Sequence, residues 1–509
     1  METMLFLSSG LFLGWSLGAN DAANVFGTAV GTRMVRFRSA ALVCSIFIVL
    51  GATISGAGAA HTLGRLGAVN AIAGSFTVAL ASALTTFWMT RMQIPVSTSQ
   101  AIVGAILGWN LYSASATDTS SLTRIVITWV ACPAISGVMA VLLFIGVRWL
   151  IRVAKPHLLR LDSLTRLGLL VVGAFGSYSL GANNIANVMG VFIPDSPFSD
   201  ISIFGFYQVT GTQQLFFLGA VAIAVGVFTY SERVMRTVGG ELVRLSPISA
   251  LVVVLAQSIT LFLFASEGLE YFLASRGLPT FPLVPVSSSQ AVVGAIVGIS
   301  LFKGEVIRGR VLGGISMGWV ATPVVAGVVA FILLFFVENV FDQPVNRSVR
   351  YRIDDSVIME LERRGIDDPG LAAQRGVTHQ NALRLKGDLE ATTALNSDSV
   401  TIVLDTARLG RWYVDAGVIA QKLDGHWLTA EQLNALRSLT GREFDRAWQF
   451  HQALAEASEQ WRKRPGAAVN KIWNKELKQK LSFLDRVFRV DESGDDSGLS
   501  GGDAARAAD

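Results

Sequence analysis

The stretch Gly18-Ala19-Asn20-Asp21-Ala22-Ala23-Asn24-Val25-Phe26-Gly27 is a polar motif inside an apolar run, and the chain carries it twice. It returns as Gly181-Ala182-Asn183-Asn184-Ile185-Ala186-Asn187-Val188-Met189-Gly190. A second motif, Pro95-Val96-Ser97-Thr98-Ser99-Gln100-Ala101-Ile102-Val103-Gly104, returns as Pro285-Val286-Ser287-Ser288-Ser289-Gln290-Ala291-Val292-Val293-Gly294. A third landmark, Trp129-Val130-Ala131-Cys132-Pro133, is matched by Trp319-Val320-Ala321-Thr322-Pro323. The three recur in one order, so the chain holds two copies of one pattern. Polar motifs repeated within hydrophobic surroundings point to a duplicated membrane protein with one central site.

Composition agrees. Of 509 residues 51% are hydrophobic and 16% charged, and 49 are glycine, unlike a water-soluble domain. Apolar runs of about 18 or more residues are what a bilayer span needs. A net charge of +4 gives no case for nucleic acid. Cys44 and Cys132 both lie in apolar runs and imply no disulfide, and five scattered His show no metal-ligand spacing. The first apolar segment is not a secretory signal: it begins with Glu2 rather than Lys or Arg, and its polar motif recurs at Gly181.

Apolar segments run at about 4–30, 40–60, 69–91, 95–112 and 122–150, then about 166–193, 213–231, 247–273, 285–302 and 311–339. Five segments per copy is odd, so the second copy enters the bilayer from the opposite side. Loop charges agree. Arg33, Arg36, Arg38, Arg91, Arg148, Arg152, Lys155, Arg160, Arg166, Arg233, Arg236, Arg244, Lys303, Arg308 and Arg310 follow odd segments, whereas Arg65, Asp118, Asp195, Asp200, Glu267, Glu270 and Arg276 follow even ones. By the positive-inside tendency the N-terminus is outside. The expected fold is an all-α integral membrane protein with two inverted-topology repeats of about five segments each. Residues 1–155 form the first repeat and 156–340 the second, with broken or re-entrant helices; whether 95–112 and 285–302 cross fully stays open. A soluble helical domain is expected over 341–490, with Trp412, Trp427, Trp448, Trp461 and Trp473 as anchors and a capping box at Thr429-Ala430-Glu431-Gln432. The Gly-, Ser- and Asp-rich tail 491–509 is expected to be disordered.

Asp21 is the one carboxylate between Glu2 and Asp118. Placing it at membrane depth costs roughly 2.5–3.5 kcal/mol, so it must face a cavity, an ion or a partner. The structural alternative is an Asp bonded to nearby amides or serines. Gly18 and Gly27 are expected to loosen the helix and free carbonyls for a cation. Asn20, Asp21, Asn24, Asn183 and Asn187 are the candidate cation ligands, with Na+ at Asp21 and Asn24. The second motif suits an anion. Pro95 and Pro285 fit a first helical turn, and the hydroxyls of Ser97, Thr98, Ser99, Ser287, Ser288 and Ser289, with Gln100 and Gln290, add donors at a positive helix end. Asn184 joins this anion set, as does Asp21, which can take a proton carried by the anion. Serine and threonine in membrane helices also serve close packing alone. Broken helices of inverted repeats meeting at mid-membrane are the usual layout of secondary transporters, and no GxxxxGK[ST] loop is present for ATP.

GANDAANVFGTAVG and the paired PVSxSQ segments resemble the inorganic phosphate transporter (PiT) family over about residues 4–339. The resemblance implies uptake of orthophosphate coupled to Na+ or H+, no other cofactor, a homodimer in the plasma (inner) membrane, and Asp21, Asn24, Asn187 and both PVSxSQ segments at the site. The chain departs from the family's pattern at Asn184, where Asp is usual. It departs again at Ile48 and Phe216, where the pattern has Glu. Fewer carboxylates make sulfate or a related oxyanion the alternative substrate, since phosphate near neutral pH carries a proton that needs an acceptor. An anion channel, or a membrane sensor with a C-terminal output domain, is the alternative of another class. No nucleophile or metal arrangement suggests an enzyme.

Overall fold

A backbone held away from water must close its hydrogen bonds within its own segment, which favours helices wherever apolar runs are long. The computed structural model describes the chain except for residues 1, 68, 93–95, 199–200, 204–206, 239–244, 306, 308, 424–427, 466–467 and 491–509. Pro95, Asp200, Arg244, Arg308, Trp427 and the expected disordered tail therefore lie outside the described residues. Contacts divide the chain into two units, Met1–Arg347 and Ser348–Asp509.

The first unit holds thirteen described helices: α1 Glu2–Gly31, α2 Phe37–Ser55, α3 Ala57–Leu66, α4 Ile72–Arg91, α5 Thr98–Tyr112, α6 Thr119–Ala154, α7 Leu158–Met189, α8 Gly211–Thr229, α9 Ser231–Val238, α10 Pro247–Ala265, α11 Glu267–Ser275, α12 Ser288–Lys303 and α13 Gly309–Asn339. A short antiparallel pair, β1 Ile201–Ile203 and β2 Tyr207–Val209, precedes α8 with Ile201 opposite Val209. Six of these helices (α2, α4, α6, α8, α10 and α13) are long and apolar enough to cross a membrane. The remaining segments depart from ten simple spans for local reasons. Polar motifs lie within the continuous α1 and α7, and α5 and α12 have only 15 and 16 residues.

α4 and α5 form a helical hairpin. α4 begins where Ser75 Oγ donates to Val191 O and Gly74 lies against Val345 O, and α5 ends near the same place, with Trp109 Nε1 donating to Val345 O at 3.0 Å. From its Ser-rich tip at Ser97, α5 thus runs back beside α4. α10 and α12 are arranged likewise: Lys303 Nζ at the end of α12 reaches Ser249 Oγ at the start of α10 at 3.0 Å.

Each hairpin arm packs on a long helix of the other copy. A Cβ on Gly104 of α5 would sit 2.0 Å from Pro323 O of α13, and one on Gly294 of α12 would sit 2.2 Å from Pro133 O of α6. The same exchange joins α1 to α8 and α2 to α7, where Gly18 lies against Ile223 O and Gly181 against Ile48 O with no room for a Cβ. These contacts correct the expected unwinding at the GAN motifs. α1 and α7 run unbroken through both motifs, and their glycines permit backbone contact between helices rather than frayed hydrogen bonds.

The second unit repeats a smaller pattern. β3 Tyr351–Arg352, α14 Asp355–Arg363, β4 Thr378–His379 and α15 Ala382–Thr392 are followed by α16 Ser397–Ala407. The order returns as β5 Trp412–Tyr413, α17 Ala416–Lys422, α18 Ala430–Ser438, β6 Glu443–Phe444 and α19 Ala447–Ala457, closed by α20 Ala468–Val487. Tyr351 pairs with His379 as Trp412 pairs with Phe444. Gly376 N donates to Ile353 O as Gly441 N donates to Val414 O, and both glycines hold the positive φ that a Cβ disfavours. Leu409 N to Arg350 O likewise matches Val490 N to Arg411 O. The capping box at Thr429 and Gln432 is formed in both directions. Trp412 and Trp461 are buried in the core, whereas Trp448 and Trp473 are only partly covered.

Asp354 ties this unit together. Its Oδ1 caps α14 through Val357 N, and its Oδ2 accepts from the buried Arg446 at 2.6 Å. Burial raises its pKa, but bonds from Ser356, Val357 N and Arg446 outweigh that and hold it below the usual carboxylate range. A depressed folded-state pKa gives stability that is present above the unfolded value near about 3.9 and fades as pH falls through the folded one. Asp354→Ala should cost about 2–4 kcal/mol by uncapping α14 and stranding Arg446. Hydrogen exchange of residues 348–490 in the intact chain should show this at pH 7, with the difference from wild type shrinking below about pH 4. In the first unit, Gly294→Ala should destabilise the protein by about 1–3 kcal/mol through overpacking, read as a lowered thermal midpoint. Gly146→Ala on α6, where no neighbour lies within 4 Å, should leave it unchanged or raised.

Candidate functional site

The two hairpin tips meet. Ser97 and Ser287 are the N-caps of α5 and α12, each accepting from the backbone N–H of the glutamine three residues on at 3.3 Å. Serine takes this position because its short hydroxyl reaches back to the third amide of the helix. Pro285 therefore lies two residues before the cap rather than in the first turn, and the extended Pro285-Val286 keeps its own backbone groups outside the helix. The amide hydrogens of Thr98, Ser99, Ser288 and Ser289 are in the first turns and outside the intrahelical ladder. All four residues except half-buried Ser289 are buried.

The tips exchange hydrogen bonds reciprocally. Ser99 Oγ donates to Val286 O at 3.1 Å, and Ser289 Oγ donates to Val96 O at 3.3 Å. Ser287 and Ser289 share a hydroxyl contact at 2.9 Å, and Cys132 Sγ of α6 approaches Ser287 O at 3.9 Å.

The GAN motifs of α1 and α7 flank this junction. Asp21, 4% exposed, accepts from Ser288 Oγ at 2.7 Å, and Asn24 Nδ2 donates to the same hydroxyl oxygen at 3.2 Å. On the other side Asn187 Nδ2 donates both to Ser99 Oγ at 2.8 Å and to Asn184 Oδ1 at 2.9 Å. Asp21, Asn24, Asn184, Asn187, Ser99 and Ser288 thus join one buried polar cluster with Ser97, Ser287 and Ser289. Thr98, Gln100 and Gln290 are buried on the same tips.

Two expected cation ligands stand elsewhere. Asn183 spends both ends of its amide on Val286, donating to its carbonyl at 2.6 Å and accepting from its N–H at 3.1 Å. It clamps the second tip. Asn20 faces a recess beside Trp15, Arg91 and Tyr230, off the Asp21 face of α1. One member was not foreseen: Gln257 of α10, whose Nε2 donates to Asn24 O at 2.8 Å. A lone amide in Val252-Val253-Val254-Leu255-Ala256-Gln257 was its signal in the sequence.

The cluster contains buried polar atoms without a partner among the described residues: Gln100 Oε1, Gln290 Oε1, Gln257 Oε1, Asn187 Oδ1 and Asn184 Nδ2. Leaving such a group unpaired costs about 1–3 kcal/mol, so a set of them on motif residues suits a solute. Four are carbonyl-type oxygens, the donor type that hard cations take. Tip amides, hydroxyls and Asn184 Nδ2 supply the complementary donors that an oxyanion takes. Among the described residues no three His, Cys, Asp or Glu side chains gather to suit a transition metal.

Comparison with known proteins identifies the family. Residues 17–270 and 278–401 match the family described as "Phosphate transporter family", so the match reaches past the motif region into the second unit. A relative from Methanocaldococcus jannaschii named "Putative phosphate permease" is 27% identical over 331 residues, covering 65% of this chain and 96% of its own. A Haemophilus influenzae protein of the same name is 24% identical over 421 residues, covering 65% and 96%. A solved structure titled "The sodium-dependent phosphate transporter" shares the fold with a TM-score of 0.51 at 22% identity, covering 65% of this chain and 99% of that one.

Asn183→Ala removes two buried hydrogen bonds and leaves the Val286 N–H unanswered. It should lower the stability of the detergent-purified protein by about 2–3 kcal/mol in thermal unfolding. An unshifted midpoint would show that the clamp contributes nothing to the fold.

Proposed function

The chain belongs to the phosphate transporter family, and from that premise we propose that it is a secondary transporter importing orthophosphate together with Na+ or H+. The observation that carries the reading is the meeting of two helix tips with Asp21 in one buried cluster. An oxyanion at the tips gains backbone N–H and hydroxyl donors at the positive ends of α5 and α12. A cation near Asp21 gains a carboxylate and amide oxygens, and offsets the charge of the anion beside it. Seating the two ions together lowers the desolvation cost of each, which is the physical basis for coupling them.

The two motif copies act as inverted repeats, with hairpins α4–α5 and α10–α12 entering from opposite faces. The reciprocal packing of each hairpin on the other copy's long helix supports this, because opposed entry lets both tips reach one level. Access alternates as the repeats exchange roles about the junction. The protein sits in the plasma membrane as a homodimer with its N-terminus outside, and residues 341–490 form a soluble appendage.

A second reading, sulfate as the substrate, is favoured by Asn184. Its counterpart is Asp21, and its Nδ2 has no partner among the described residues. A donor there suits a fully deprotonated oxyanion, whereas a carboxylate suits a protonated one.

Uptake of labelled phosphate into vesicles under an imposed Na+ or H+ gradient tests both readings. Accumulation above equilibrium, blocked by unlabelled phosphate and not by sulfate, is expected; sulfate uptake indifferent to phosphate would overturn the first reading. Asp21→Asn keeps the volume and removes the charge, and should lower uptake at least about 100-fold with normal membrane insertion, as for loss of a charge-assisted contact.

A further inference from the structure

Beside the central cluster, α1, α4 and the α8–α9 junction enclose a small recess that is partly open to solvent. Its polar lining is Ser16 and Asn20 of α1, Thr90 and Arg91 at the end of α4, and Tyr230. Trp15 and Phe87 form its aromatic wall, with Trp15 packed against Tyr230 at 5.9 Å between ring centroids. Among the described residues no carboxylate lines it. Ser16 is only 6% exposed, yet neither its hydroxyl, nor the amide of Asn20, nor the guanidinium of Arg91 makes a hydrogen bond or ion pair among the described residues. Arg91 is exposed at the mouth of the recess, so its guanidinium is open to an anion that enters from solvent.

The recess adjoins the central cluster through sequence neighbours. Asn20 precedes Asp21, and Arg91 stands six residues before Ser97. The two motif copies also differ here. Asn183 clamps the backbone of Val286, but its counterpart Asn20 makes no matching bond to Val96 and faces the recess instead. The side of the junction left unclamped is therefore the side on which Arg91 waits.

We propose that Arg91, Asn20, Ser16 and Thr90 form a second oxyanion seat, separate from the tip cluster, on the approach to it from the α9 side. A guanidinium offers two parallel N–H donors to two oxygens of a tetrahedral anion, and the amide and hydroxyls complete the shell. A cation is excluded by Arg91, and a neutral apolar solute would leave the four polar groups unanswered. The seat takes either free phosphate or the phosphate of a lipid headgroup. As a staging point for transported phosphate it rests on the function proposed above.

The test uses the full-length protein in detergent. Equilibrium binding of labelled orthophosphate should give two sites per chain in the wild type and one in Arg91→Gln, with Arg91→Lys intermediate. Asn20→Ala, or Thr90→Val if Arg91→Gln does not fold, should weaken the same site about tenfold. Native mass spectrometry reads the other source. If phosphate stoichiometry is unchanged but phosphatidic acid is retained by the wild type and lost from Arg91→Gln, the seat stands and a lipid headgroup fills it. An Arg91→Gln protein that keeps both the wild-type phosphate stoichiometry and the wild-type lipid overturns the seat. Vesicle uptake by the wild type separates the two proposals: no phosphate uptake defeats the transport reading, whereas normal uptake with an Arg91→Gln protein unchanged in both phosphate and lipid binding defeats only the second seat.

Discussion

Two helix N-termini brought face to face away from water carry unpaired backbone groups that something must satisfy, and here each tip serves the other. Ser99 reaches the carbonyl of Val286, and Ser289 reaches that of Val96. The exchange requires both hairpins to stop at the same level, and so determines where α5 and α12 begin. It also brings Ser288 to Asp21 and Ser99 to Asn187, linking both GAN motifs to one junction. Without it the tips would bury unanswered carbonyls at about 1–3 kcal/mol each, and the polar cluster would have no common centre.

Small residues permit that approach. Helices in a bilayer gain little from burying apolar surface against each other and rely on close packing. Gly104 on Pro323 and Gly294 on Pro133 place backbone directly against backbone, bringing each hairpin onto the long helix of the other copy. The same logic gives Gly18 and Gly181 their role. They do not loosen α1 and α7 but let α8 and α2 cross them, which keeps Asp21 and Asn187 rigid on unbroken helices. A ligand held by rigid elements loses less freedom on binding than one held by an unwound loop.

The copies match in pattern and differ in use. Asp21 faces a serine hydroxyl, whereas Asn184 in the matched place pairs with Asn187. Asn183 is committed to a backbone clamp, and Asn20 is released to a recess. A duplicated scaffold that is unequal at matched positions has one side of its junction tied and the other loose. Two-state transporters need that property, because each state is a rearrangement of the same contacts. The second unit is duplicated as well, on a smaller scale, with its halves joined by Arg446 on Asp354.

The two copies, the polar motifs, the lone carboxylate and the change of character after the last apolar segment were all legible in the amino-acid sequence, since each is a matter of local composition and order. The capping box at Thr429 was legible too, being a three-residue rule. Tertiary structure alone decided the rest. Whether 95–112 crosses or returns depends on what its far end meets, and Trp109 meets Val345. Asn20 and Asn183 are identical in motif, and only their neighbours make one a clamp and the other a lining residue. Gln257 joined the site, and the second unit showed its repeat, through contacts between residues far apart in the chain. Order along a chain sets which groups are available; their partners are set by packing, which no single stretch contains.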